Sequence, residues 1–148
     1  MIYTSYFAML KKIEQLNQDI TKSTYIPISI CAKVPNWYTG LQYKKIAPKW
    51  SFFNEWKKNH DNEFYIKHFN EEVLKPLNQI EVLEDLYSLL DYETKNILQM
   101  FNCPPWSNPD INLILLCYEK PEDFCHRHLI ADWLNQSYLS IHVEELIL

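Results

Sequence analysis

The chain has 148 residues and is 47% hydrophobic, enough for one domain that buries about two-thirds of its unfolded surface. A net charge of -5 argues against a chain coated in positive charge for nucleic acid, and the longest uninterrupted apolar run, residues 113–117, is far short of the roughly twenty residues of a membrane helix. No basic, apolar and small-residue succession opens the chain, so no secretory signal is expected. Four cysteines, Cys31, Cys103, Cys117 and Cys125, match neither a disulfide framework nor the paired spacings of structural zinc, and are read as free thiols of a reducing cytoplasm.

The pattern of elements is an alternation. Residues 3–7 and 25–31 are aromatic or β-branched runs of strand length, and Leu10, Ile13, Leu16 and Ile20 lie between them at helical spacing. Pro35, Gly40 and Pro48 punctuate an aromatic and basic loop leading to Ser51, a plausible N-cap for a helix carrying Phe52, Phe53 and Trp56. Residues 61–74 and 80–90 both follow helical periodicity, separated by Pro76, and residues 92–101 suggest a further helix stopped by Pro104 and Pro105. Residues 110–117 then read as a buried strand, Leu129, Ile130, Trp133 and Leu134 as the buried stripe of a helix, and residues 140–144 as a closing strand. Strands alternating with helices predict a single three-layer α/β domain over residues 1–148, with a mainly parallel sheet flanked by helices.

Charge is unevenly spread. Between Lys33 and Lys58 six lysines face one acid, Glu55, so one face can attract anions. The only arginine, Arg127, sits apart from these, beside Cys125, His126 and His128 at a helix start, with Asp123 as the expected N-cap. In a parallel sheet, ligands bind beyond the carboxyl ends of the strands. Cys31 and Cys117 each end a predicted strand, and Glu119 follows the second. If the strands are neighbours, these groups converge.

The residue types suggest roles. Arg127 can clamp a carboxylate or phosphate, His126 or His128 can move a proton, and Cys125 or Cys117 can act as nucleophile, with the helix dipole lowering the Cys125 pKa. Catalytic candidates are therefore Cys125, His126 and Arg127, with Cys117, Glu119, His128, Lys33 and Cys31 as ligand-binding candidates. A bland reading stands beside each: strand-end cysteines are often buried hydrophobes, and Arg127 can form a structural ion pair with Glu119 or Glu122. His126, His128, Cys125 and Glu119 are competent metal ligands, but His126 and His128, two apart, would point to different faces of a helix, so no metal set is expected, and the sequence leaves any cofactor open. The spacing fits no specific nucleophile motif and leaves the choice between enzyme and binder open. The single glycine excludes a glycine-rich phosphate cradle.

The run Leu116-Cys117-Tyr118-Glu119-Lys120-Pro121, continuing through Cys125-His126-Arg127-His128-Leu129-Ile130-Ala131-Asp132-Trp133-Leu134, together with the opening Ile2-Tyr3-Thr4-Ser5-Tyr6-Phe7 and the middle Tyr43-Lys44-Lys45-Ile46-Ala47-Pro48, resembles the family called domain of unknown function 488. The resemblance implies a compact α/β domain of bacterial, archaeal or phage origin with a pocket, and carries over no reaction. Two departures stand out: Ala32-Lys33 occupies a place where many similar chains have an arginine, and residues 92–109 form a longer stretch than usual. The expected function is a small intracellular enzyme or ligand binder for an anionic, nucleotide-like or phosphorylated molecule at Cys125, His126 and Arg127. The alternative is a non-catalytic nucleic-acid-binding module using the basic and aromatic segment from Lys33 to Lys58. No membrane partner is expected.

Overall fold

A computed structural model describes residues 1–18, 23–90 and 104–148. Ile20, the helix expected over residues 92–101, and Cys103 lie outside the described residues. Five strands form one parallel sheet: β1 (Ile2–Tyr6), β2 (Thr24–Ser29), β3 (Leu41–Gln42), β4 (Ile111–Cys117) and β5 (Val143–Glu145), in the order β3-β2-β4-β1-β5. All seven residues of β4 are buried, as its near-continuous apolar run requires of a central parallel strand covered on both faces. Leu113 and Leu115 point into one layer and Ile114 and Leu116 into the other.

Helix α1 (Leu10–Leu16) covers the Ile114 face through Ile13. Helices α2 (Trp50–Asn59), α3 (Asn62–Phe69), α4 (Gln79–Ser88) and α5 (His126–Asn135) cover the opposite face with Phe52, Tyr65, Phe69, Leu83, Leu86, Ile130 and Leu134. The expected single α/β domain is thus the architecture observed. Among the described residues, no helix is long and apolar enough to cross a membrane.

Several boundaries shift for local reasons. The first strand ends at Tyr6, and Phe7 opens a short 3-10 turn. Helix α2 starts at Trp50 after Lys49, which supplies no side-chain cap, so Ser51 is already inside it. Asp61 does cap α3, its carboxylate accepting the Phe64 N–H at 3.2 Å. The helix expected over residues 61–74 loosens after Phe69 into a π turn, Asn70–Leu74. Ser140 sits in the left-handed region at φ 53°, which delays the last strand to Val143. The lone Gly40 allows a close approach, since a Cβ there would lie 2.6 Å from the Tyr38 hydroxyl that bonds the Leu41 carbonyl.

Strands β2 and β4 are neighbours, with Ser29 opposite Leu116, so Cys31 and Cys117 emerge side by side. The chain leaving β2 carries Cys31, Val34 and Tyr38 toward the α1 layer, while the chain leaving β4 enters α5 on the other face. This divergence opens a crevice at the carboxyl ends of the two central strands.

Arg127 does not face that crevice. Its side chain is fully buried at 0% exposure, its Nε and Nη2 donating to the two carboxylate oxygens of Glu145 at 3.2 and 3.1 Å. A third donor, Nη1, bonds the Glu119 carbonyl at 2.7 Å, and the guanidinium lies 5.8 Å from the Tyr6 ring centroid. The expected anion clamp is corrected to an internal ion pair, because a permanent charge taken out of water is held by a fixed carboxylate rather than left for a ligand. The partner is Glu145 of β5, not Glu119 or Glu122 through their carboxylates. Thr4 of β1 also donates to Glu145, so one carboxylate joins β1, β5 and the first turn of α5.

Removing one member of this pair strands the other in a largely dry site. Arg127→Met is expected to lower the unfolding free energy by about 3 kcal/mol in urea denaturation, with Glu145 partly relieved by its residual exposure. Arg127→Met combined with Glu145→Gln should cost less than the sum of the two single changes. A loss below about 0.5 kcal/mol for the single variant would contradict this role.

Candidate functional site

The crevice is a cavity of about 530 Å³. Its floor is chemical. Cys31, Cys117, Cys125 and His126 all line it, together with Glu119 and Lys33. The Cys31 thiol donates toward the Cys117 sulfur at 3.3 Å, and the Cys117 thiol toward Glu119 Oε2 at 3.4 Å. The His126 Nδ1 atom lies 3.6 Å from the Cys117 sulfur and 3.9 Å from the Cys125 sulfur. The sulfurs of Cys117 and Cys125 and the His126 ring thus lie within 4.8 Å of one another.

The ring orientation is set by the backbone. His126 Nε2 stands 2.9 Å from the Ile30 carbonyl, which can only accept, so Nε2 carries the proton and donates. In the neutral ring Nδ1 is then the lone-pair nitrogen, and it is aimed at the thiols. Helix position explains the placement: Cys125 is the N-cap of α5, with extended backbone, and His126 is its first residue. The expected N-cap, Asp123, instead closes a turn onto the Lys120 carbonyl at 3.1 Å.

Aromatic residues build the walls. Trp50, Phe53 and Trp56 recur along one side of α2, and Tyr65 from α3 and Phe124 before α5 complete the enclosure. Phe124 meets Tyr65 edge-on at 5.0 Å and Trp56 at 5.7 Å, a packing that fixes ring positions. Two cations border the space, Lys33 and Lys57, the latter with its ammonium 5.1 Å from the Phe53 ring centroid.

The thiols are not activated. At Cys125 the Cys117 thiol and then burial drive the pKa far above the ordinary thiol range, outweighing the opposing pull of His126. At Cys117 the interaction with Cys125 pulls downward, but Cys31 and burial prevail and leave it well above its usual value. The expected lowering at the helix start is therefore corrected: at Cys125 the Cys117 thiol first and burial second outweigh the pull of His126, and both thiols are held in the protonated form.

The crevice thus gathers Cys31, Lys33, Cys117, Glu119, Cys125 and His126 of the expected residues. Arg127 and His128 stand apart from its lining. At His128, the next residue of α5, burial first and the Arg127 guanidinium second lower the pKa, and its Nε2 has no partner among the described residues. Tyr65 and Phe124 were missed from sequence, while Trp50, Phe53, Trp56 and Lys57 belong to the basic and aromatic segment from Lys33 to Lys58 that was expected as an alternative binding surface and not as walls of this crevice. The spacing of 50, 53 and 56 on one side of α2 was a usable signal, whereas nothing local to Tyr65 or Phe124 marks a wall. Comparison with known proteins returns no match to any family, curated protein or solved structure.

The raised thiols set a pH dependence. An unfolded cysteine ionises near 8.5, while folded Cys117 and Cys125 stay protonated beyond that, so their contribution to stability is complete below about pH 8 and declines as pH rises past about 9. Urea denaturation from neutral to alkaline pH should show this loss. Iodoacetamide at neutral pH should label Cys117 and Cys125 more than about tenfold more slowly in the folded than in the unfolded chain, since each unit of pKa rise removes about tenfold of the thiolate. Equal rates would contradict the burial and coupling described.

Proposed function

We propose that the protein binds a small anionic molecule with a flat ring, nucleotide-like in chemistry, in the crevice between the ends of β2 and β4. The observation that carries this reading is the composition of the cavity: Trp50, Phe53, Trp56, Tyr65 and Phe124 supply ring faces and edges, and Lys33 and Lys57 supply positive charge at its border. The ligand's charge is assigned to these lysines rather than to Arg127, whose charge is matched by Glu145. Cys117, Cys125 and His126 then form the floor against which the bound molecule rests. In the metal-free chain, with both thiols protonated, that floor supports binding without requiring a covalent step.

A second reading is favoured by two exposed indoles, Trp37 at 61% and Trp50 at 68% exposure, near the lysine-rich segment. Stacking on such rings with lysines on phosphates would suit single-stranded nucleic acid. Two facts weaken it: Lys45 is engaged by Asp85 at 3.2 Å, and most of the aromatic surface is enclosed by the cavity instead of forming an open row.

Adenosine monophosphate and adenosine serve as probes, with tryptophan fluorescence as the readout. The monophosphate should bind at least about tenfold more tightly than the nucleoside, and the Lys33→Ala, Lys57→Ala double variant should erase that advantage. Trp50→Ala, at an exposed position, should reduce the fluorescence change without unfolding the chain. Equal binding of both probes, or none, would overturn this reading. Binding of single-stranded DNA with steep salt dependence, unaffected by Trp56→Leu inside the cavity, would favour the second.

A further inference from the structure

We propose that Cys117, Cys125 and His126 are the three protein ligands of a zinc site whose fourth position is reached from the cavity. This inference stands on the floor of the cavity alone and is independent of which organic ligand the walls accept. Three observations carry it.

The first is spacing. Zinc holds sulfur at about 2.3 Å and nitrogen at about 2.0–2.1 Å in a tetrahedron, which separates a sulfur from a nitrogen ligand by about 3.6 Å. His126 Nδ1 lies 3.6 Å from the Cys117 sulfur and 3.9 Å from that of Cys125, so the donors already stand near the separation a shared metal imposes. The two sulfurs and the ring lie within 4.8 Å of one another.

The second is the tautomer. A metal-binding histidine characteristically donates its other ring N–H to a carboxylate or carbonyl, which fixes the ring and raises the basicity of the coordinating nitrogen. The bond from His126 Nε2 to the Ile30 carbonyl, 2.9 Å, is of that kind, and it presents the Nδ1 lone pair to the sulfurs. His126 is 4% exposed, and among the described residues that lone pair meets nothing stronger than thiols. A thiol is a weak donor, so a buried imidazole nitrogen gains little from it. A metal would use that lone pair fully.

The third is charge and donor type. Each thiol releases its proton to solvent on binding, so one zinc ion displaces two protons and forms two sulfur–metal bonds and one nitrogen–metal bond. Two thiolates neutralise the divalent ion, which suits a buried site. Two sulfurs and an imidazole form the mixed donor set that zinc accepts, and three protein ligands with an accessible fourth position is the arrangement of a catalytic rather than a closed structural zinc. All three residues line the cavity, which supplies the access. Of the three donor residues Cys31 meets Cys117 alone, at 3.3 Å, its thiol also facing the Leu116 carbonyl at 3.7 Å, and it stands outside the group whose donor atoms all lie close together. It is assigned as a neighbour and not a ligand.

The test uses the full chain, reduced, freed of metal with a chelator and kept anaerobic. Native mass spectrometry with added zinc should show one ion per chain with the loss of two protons. Cobalt as a spectroscopic stand-in should give thiolate-to-metal charge-transfer bands and the intense visible absorption of tetrahedral coordination. Cys125→Ser and His126→Gln should each weaken zinc binding by more than about 100-fold, the upper end of what losing an outer-shell partner costs. Cys31→Ser should leave it within a few-fold. The wild-type cobalt spectrum needs no variant to fold, so absence of thiolate charge transfer at stoichiometric cobalt overturns the site by itself. Zinc binding that survives both Cys125→Ser and His126→Gln would also overturn it, and a loss in Cys31→Ser equal to that in Cys125→Ser would overturn the three-ligand assignment. Binding of adenosine monophosphate by the metal-free chain reports on the cavity walls separately.

Discussion

The hydrogen bond from His126 to the Ile30 carbonyl joins the end of one central strand to the first residue of the helix that follows the other. It settles three things at once. It satisfies a backbone carbonyl where β2 gives out, it anchors the start of α5 against the sheet, and it decides which ring nitrogen faces the thiols. Cys117 and Cys125 then flank that ring, with Cys31 beside Cys117, because β2 and β4 are adjacent and their chains depart toward opposite faces. The chemistry of the cavity floor is a consequence of strand order.

Arg127 supports the same corner from behind. Its three donors bind Glu145 of the last strand and the carbonyl of Glu119, whose side chain lines the cavity. A charge of this kind does not approach a ligand, yet it holds the segment between β4 and α5 in place. Its weight in the structure is that of a positioning residue: the Glu119 backbone and the first turn of α5 are set together. Burial costs the guanidinium its water, and the bidentate carboxylate with Thr4 behind it offsets that cost.

Much of the fold was legible because its signals are local. The run of apolar residues over 111–117 reads directly as a buried parallel strand, and the strand-helix alternation gives the layered architecture. The meeting of Cys31 with Cys117 followed from the assumption that their strands are neighbours. Arg127 was misread because its partner, Glu145, is eighteen positions away and one residue past the closing strand expected over residues 140–144, whereas Glu119 and Glu122 lie near in sequence. The thiol pKa was misread for a related reason: the helix start was visible, but the neighbouring Cys117 thiol and the burial that raise the Cys125 pKa are properties of the assembled core. The cavity walls were partly visible, in that the aromatic spacing of α2 defines a face while nothing in it says what that face meets.

The cavity floor turns on the state of one imidazole. Long-range proton–nitrogen correlation NMR on ¹⁵N-histidine-labelled, reduced, metal-free protein at neutral pH reads the two ring nitrogens of His126 directly, with His126→Gln giving the assignment. The structure predicts that the neutral ring is a single tautomer, with the proton on Nε2 and a lone pair on Nδ1. A proton fixed on Nδ1, or a ring averaging between tautomers like an exposed histidine, would contradict the architecture of the cavity floor described above.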